Sequence, residues 1–222
     1  MQVAIQAFIL FFLSFYVQDA NPELFEGKIV YKSLTKDFEG KLIPSRTLNG
    51  QTFYYKDTFY KFVYPRNETL TGPPSMEVIV NTQDTTWYTI HHADKEYRSL
   101  NMETGSEAYL PRKIHFIHAN DTILGYPCKK YELIQLEFYN QQEVKSYIWI
   151  AEELKVMNLP LLGKIFGYRN TLIKDGSLGG IALKYESLGS DGSVSMLTEA
   201  IEIKPMTLDS SDFAVPVMYR GQ

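Results

Sequence analysis

The feature that most constrains this chain is a period of two. In "FEGKIVYKS", Phe25, Gly27, Ile29 and Tyr31 fall on one face, with Glu26, Lys28 and Lys32 on the other. That alternation belongs to a strand with one buried face, and a helix cannot use it. It recurs along nearly the whole chain. "QTFYYKDTFYKFVYP" reads as a hairpin turning near Lys56-Asp57, and Pro65 ends its second arm because proline cannot donate to a ladder. "NETLTGPPS" is a loop by its Gly-Pro-Pro content. "MEVIVNTQDTTWYTIHHADKEYRSLN" reads as three strands joined by polar turns, with Tyr88 and Ile90 on one face and Trp87 opposite. A strand to about Ile117, a turn at Ala119-Asn120-Asp121, and a long strand from about Lys129 follow. That strand pairs with "EVKSYIWIAEEL" through a turn at Asn140-Gln141-Gln142, and a last hairpin crosses "LGSDGS". In its first arm Ile181, Leu183 and Tyr185 alternate with Ala182, Lys184 and Glu186.

Helix signals are few. "AEELKVM", Ala151 to Met157, and "DSSDFA", with Asp209 as N-cap, each support one or two turns, and "LPLLGKIFGYRN" reads as a loop or short helix over the sheet. A long antiparallel meander must bury one face, against a second sheet or by curling on itself, and the meander order favours curling. The expected fold is therefore mainly β: a curved antiparallel sheet with a concave face and a few short helices, one of them packed over the sheet. Sixteen Tyr and thirteen Phe supply rings large enough to fill such a face.

The N-terminus stands apart. "AFILFFLSFYV", Ala7 to Val17, is an apolar run of signal-peptide length, well short of the roughly 20 residues that span a bilayer. We read residues 1–20 as a cleaved signal peptide and 21–222 as a single domain, periplasmic or secreted, with no transmembrane span in the mature chain. A buried or interfacial helix is the alternative. A formal charge of −4 with no basic run argues against nucleic acid and against a polybasic membrane-surface mode.

The chemistry-bearing residues are sparse. Cys128 is the only cysteine, so no intrachain disulfide is available. A reactive thiol needs neighbouring positive charge, yet Lys129 points to the opposite face of a strand, so Cys128 reads as a small apolar filler. His91 and His92 are adjacent, and His115 and His118 lie three apart; in strands neither pair shares a face, and no metal set results. Ser190 and Ser193 lie in a hairpin turn and not in a nucleophile elbow, and Glu152-Glu153 are neighbours at a helix start. Asn67 and Asn120 open glycosylation sequons that matter only in a eukaryotic secretory pathway. The reading is a protein that is not an enzyme, with no catalytic residues, metal or cofactor.

"TILGYPCKKYEL" followed by "YIWIAEEL" resembles a family of secreted, uncharacterised Gram-negative envelope proteins that share a Gly-Tyr-x-Cys-x-Lys segment, one branch being named for its Gly-Leu-Pro-Gly-Leu-Ile (GLPGLI) string. "FEGKIVYKS" and "DFAVPVMYR" look like that family's ends. At the named string this chain has Asn158-Leu159-Pro160-Leu161-Leu162-Gly163, which keeps Leu-Pro and lacks the glycines. The resemblance implies a fold like that of the lipoprotein-localisation-factor (LolA-like) group, an incomplete antiparallel β-barrel with a few short helices packed in or over its concave face and a hydrophobic cavity, and carries over no catalytic residues. Taken with it, Tyr54, Phe59, Phe62, Tyr88, Ile90, Ile148, Ile150, Leu183 and Tyr185 are candidates for a concave apolar face that holds a lipid, a lipoprotein acyl chain or another hydrophobic ligand. The bland reading of each is solid core. With a filled core the same fold becomes an envelope interaction module, with a protein partner on an edge strand or loop.

Overall fold

The computed structural model describes residues 24–45, 48–64, 76–101, 113–136, 143–156 and 180–221. Outside them lie the apolar run 7–17, the Gly-Pro-Pro loop 67–75, Pro65, the turn 140–142, Met157 and the stretch 158–170. Among the described residues thirteen strands form one sheet: β1 (Gly27–Lys36), β2 (Leu42–Pro44), β3 (Gln51–Lys56), β4 (Phe59–Tyr64), β5 (Met76–Asn81), β6 (Thr86–His91), β7 (Glu96–Asn101), β8 (Lys113–Ile123), β9 (Tyr126–Leu136), β10 (Glu143–Ala151), β11 (Ile181–Leu188), β12 (Val194–Pro205) and β13 (Arg220–Gly221).

The order is β13-β7-β6-β5-β4-β3-β1-β12-β11-β10-β9-β8, with β2 added beside the end of β1. β8 and β13 do not meet, so the sheet is open. Pairing is antiparallel throughout except where β13 lies parallel to β7. β1 is central because its two ends pair differently: Gly27 to Tyr31 pair with β3, and Leu34 to Lys36 with β2. Its first residue has φ +153, and a Cβ there would lie 2.3 Å from the Lys204 carbonyl oxygen, so only glycine fits at this start.

The β3–β4 hairpin turns where the pattern places it, with Asp57 at φ +45, a left-handed conformation that Asp tolerates. The turn expected at Ala119-Asn120-Asp121 is not there. β8 runs on to Ile123, and its register with β9 shifts between Ile117 and Asn120, so His118 and Ala119 are absorbed as a bulge. The chain reverses instead at Leu124-Gly125, at φ +51 and +89. β9 accordingly begins at Tyr126, three residues before the expected start.

Among the described residues no α-helix packs over the concave face, and the stretch 159–170 expected to supply one lies outside them. Among the described residues the single helical piece is a 3-10 turn, Ser210–Phe213, capped by Asp209, whose carboxylate accepts from the Ser211 N–H at 2.8 Å. Residues 151–156 are no helix: Ala151 still belongs to β10, and the next residues turn so that Leu154 and Val156 drop into the core. The Phe25 N–H then donates to the Lys155 carbonyl at 2.7 Å, which ties this turn to the start of β1.

Three further bulges shape the sheet, one of them at Ser195 of β12, between the pairs Ser187–Met196 and Leu188–Val194. Trp149 pairs with Lys184 and Ile150 with Ala182, so Leu183 is the extra residue on β11. Val30 pairs with Glu202 and Tyr31 with Ala200, so Ile201 is the extra residue on β12. Such bulges bend a sheet locally. The bending brings Ile123 and Cys128, from one end of the strand order, into one cluster with Ile29, Tyr31, Phe53, Phe62 and Val78. The face of β1, β3, β4 and β5 that carries Ile29, Tyr31, Phe53, Phe62 and Val78 is therefore the inner one.

Candidate functional site

The inner face is built from paired rows. Ile29 pairs with Phe53, Phe53 with Phe62 and Phe62 with Val78, so four neighbouring strands present apolar side chains at one level. The next row joins Tyr55, Tyr60 and Val80. Phe53, Tyr55, Tyr60 and Phe62 are each 1% exposed or less, and Tyr31 is 2% exposed. The rings interlock: Phe53 lies 4.5 Å from Phe62 edge-on and 5.0 Å from Tyr31, and Tyr55 meets Tyr60 at 5.7 Å and Phe25 at 5.9 Å.

Polar atoms within this packing are few. The Tyr31 hydroxyl donates to the Ala182 carbonyl at 2.9 Å, across the bent corner of the sheet. Burial pushes the Tyr31 and Tyr55 hydroxyls well above the usual phenol range, so both stay neutral. The Tyr55 hydroxyl lies beside that of Tyr31 and interacts with it, whereas the Trp87 indole N–H is buried and, among the described residues, has no hydrogen-bond partner.

The nine residues expected on one concave surface are divided. Phe62 and Leu183 belong to the inner cluster, Leu183 through its bulge. Ile148, Ile150 and Tyr185 pack with Tyr131, Leu133, Ala182 and Met196 in a second cluster. The register carries that cluster onto the same face as Tyr31, because Ile148 pairs with Tyr185, Tyr185 with Thr198 and Thr198 with Ser33. Tyr54, Phe59, Tyr88 and Ile90 lie on the opposite face. There they pack with Ile79 under Leu208 and Phe213 of the C-terminal segment. Ile29, Tyr31, Phe53, Tyr55 and Tyr60, which fill the centre, were not among the nine. The alternation that places Ile29 and Tyr31 on one face, followed across the β3 pairing, would have found Phe53.

The C-terminal segment is latched by charge. Glu26 Oε1 accepts from the Leu208 N–H at 2.6 Å and from Lys56 Nζ at 3.0 Å, and Lys56 Nζ also donates to the Leu208 carbonyl at 2.6 Å. The Leu208 N–H, then Lys56, holds the Glu26 carboxyl below the usual carboxylate range. At the far end the Tyr219 hydroxyl meets His92 Nδ1 at 2.8 Å, and Arg220 pairs with Glu96 at 3.0 Å.

Cys128 is 1% exposed, and its Sγ donates to the Tyr126 carbonyl at 3.4 Å. Burial first, then the nearby Asp121 and Glu153 carboxylates, push the thiol up to about 11, the opposite of what a nucleophile needs. It lies at the wall of a cavity of about 240 Å³ shared with Asn120, Pro127, Lys129, Glu152 and Glu153. Lys129 is paired with Glu152 at 2.7 Å. Ser193 donates to Asp191 at 2.7 Å, and Lys36 Nζ, ion-paired with Asp191 at 3.1 Å, donates to Ser193 and cannot take its proton. Among the described residues no three side chains are placed to hold a metal ion. No helix among them is long and apolar enough to cross a membrane.

The molecule is thus an open, curved antiparallel sheet with aromatic packing on its inner side and a C-terminal strap outside. Residues 44–219 match a domain of unknown function, DUF4412, and the chain belongs to that family. The GLPGLI resemblance is not confirmed. No curated protein matches the chain. Among solved structures it is similar to an uncharacterised conserved protein from Thermus thermophilus, with 7% identity over 89% of this chain and 90% of that one, at a TM-score of 0.49. It is similar also to the MucA/MucB complex of Pseudomonas aeruginosa, at 8% identity over 86% of this chain and 57% of that one, TM-score 0.46. A third is a domain from Vibrio parahaemolyticus assigned to outer-membrane lipoprotein sorting, at 9% identity over 87% and 91%, TM-score 0.37. At TM-scores below 0.5 none of the three decides a function.

Proposed function

We propose that the protein is a non-enzymatic module of the bacterial envelope that binds another protein through an edge strand or loop. The observation that carries this reading is the filled inner face, where Tyr31, Phe53, Tyr55, Tyr60 and Phe62 are all at 2% exposure or less. Side chains in that state occupy the volume that an acyl chain would need. The raised Cys128 thiol and the ion-paired Lys36 beside Ser193 supply no activated nucleophile.

The second reading is a carrier of a lipid, a lipoprotein acyl chain or another hydrophobic ligand. One observation favours it: the buried Trp87 N–H is a donor that the polar end of a ligand would satisfy. Native mass spectrometry of residues 21–222, purified from a periplasm without detergent and followed by organic extraction, separates the two. The module reading expects an adduct-free protein that takes up no fluorescent fatty acid. A stoichiometric apolar adduct overturns it in favour of the carrier. N-terminal sequencing of the same material tests export, with Asn21 expected first.

A further inference from the structure

The strand at one end of the order, β8, is long and bare. β9 pairs with it from Lys113 to Ile123, and among the described residues nothing pairs with its other side. From Lys113 to Thr122 its side chains are exposed except the half-buried Ile117, and only the last residue, Ile123, is buried. An unpaired edge is a template for another strand, and proteins usually shield it with proline, bulges or charge. β8 contains no proline. Its bulge at His118-Ala119 divides the edge and leaves Lys113 to Ile117 in regular register with β9.

Two further observations lie beside this straight stretch. Ile114 and Phe116 pair with Leu133 and Tyr131, so both are on the face that carries the second apolar cluster. They remain 37% and 42% exposed, and the Phe116 ring packs at 5.4 Å against Tyr131. Past the bulge, Asn120 opens the cavity of about 240 Å³. Lys129 there is already paired with Glu152, whereas Glu153 is exposed and has no ion-pair partner among the described residues. The local excess is acidic.

We propose that β8 is the docking edge for an extended segment of a partner protein, one that lays apolar side chains at alternate positions against Ile114 and Phe116 and carries a lysine or arginine into the cavity beside Glu153. Main-chain hydrogen bonds to the edge supply the affinity, and the apolar pair with the acidic cavity supply the selection. The assignment rests on the interaction-module reading and names its site.

The test uses residues 21–222 and a labelled peptide of alternating threonine and valine that ends in lysine. Two control peptides carry glutamate for the lysine, or N-methyl groups on alternate amides. Fluorescence anisotropy should show the lysine peptide binding about tenfold tighter than the glutamate peptide, with the N-methylated one not binding. Phe116→Glu should weaken the lysine peptide by about tenfold or more, and Glu153→Lys should reverse the charge preference. Both residues are exposed, so unchanged urea curves confirm folding. Binding that ignores N-methylation, or that survives Phe116→Glu, overturns the proposal. So does a dimer in sedimentation velocity that Phe116→Glu dissociates, because the edge then belongs to a second copy. If the unaltered protein binds no peptide yet carries a lipid adduct, the module reading falls with it. If it binds no peptide and is adduct-free, the β8 assignment alone falls.

Discussion

Replacing Phe53 with alanine asks whether the inner face is a packed core or a lined cavity. Phe53 is 1% exposed and is held on three sides, by Phe62 at 4.5 Å, Tyr31 at 5.0 Å and its β1 pairing partner Ile29. Transfer of the lost ring to water accounts for roughly 1.5–3 kcal/mol. The hole left behind raises the total for a buried Phe→Ala to about 3–5 kcal/mol. With a neighbour on each side and little room to collapse, we expect about 4 kcal/mol here. For a chain of this size each kcal/mol moves Tm by about 2–4 °C, so the midpoint should fall by about 8–16 °C. Equilibrium urea unfolding followed by far-UV circular dichroism measures the loss, with an unchanged slope showing that the same surface is exposed on unfolding. If Phe53 instead lined an open acyl-chain cavity, one side of its ring would already lack protein neighbours. The cost would then drop to about 1–1.5 kcal/mol. A value in that lower range, together with fatty-acid uptake by the unaltered protein, would refute the packed-core reasoning.

Cys128 should resist iodoacetamide near pH 8 in the native protein and react fully in urea, since its thiol lies at about 11; rapid native labelling contradicts its burial. The same shift sets a linkage: the unfolded thiol ionises near its ordinary value of 9.0, so the stability tied to the neutral folded thiol is present below pH 9 and is lost as pH rises toward 11. Glu26 works in the other direction. Its folded pKa lies below the ordinary value of 4.5, so its contribution is present above that pH and is lost on acidification through the folded pKa. Glu26→Gln should flatten that acid limb and, because the group is partly solvated, cost only about 1 kcal/mol at neutral pH in urea unfolding. Gly27→Ala would drive a methyl against the Lys204 carbonyl across the β1–β12 pairing, and should destabilise the fold by more than about 2 kcal/mol in the same assay.

What the sequence revealed was local, and what it concealed was three-dimensional. Lys56-Asp57 could be read as a turn because Asp57 takes a left-handed conformation between two alternating arms. Ala119-Asn120-Asp121 misled because turn-forming residues also suit a bulge; the partner strand decides which, and here Lys129 and Lys130 of β9 keep β8 extended past them. The real reversal hides in Leu124-Gly125, where a leucine takes a positive φ that its residue type disfavours. The candidate site was divided for a related reason. In "QTFYYKDTFYKFVY" both faces are aromatic, so a period of two separates Phe53 and Phe62 from Tyr54 and Phe59 without saying which pair faces inward. The outer pair is apolar because Leu208 and Phe213, about 150 residues further along, return to cover it.

That covering decides where binding can occur. A sheet of this kind has two faces and two edges on which to meet another molecule. The inner face is occupied by its own aromatic rows, and the outer face of β4 to β6 by the strap that Glu26 and Lys56 latch. One edge, at β7, receives β13 along Glu96 and Tyr97. The opposite edge, β8, keeps Ile114 and Phe116 in solvent, although chains commonly bury such residues or replace them with polar ones on an edge strand. Two half-exposed apolar side chains at alternate positions cost little in isolation. Next to a regular run of free backbone they add the side-chain half of a recognition mode whose main-chain half is already present. Selection against aggregation would remove such a pair from an idle edge, and its presence is the reason to look for a partner there before looking inside the sheet.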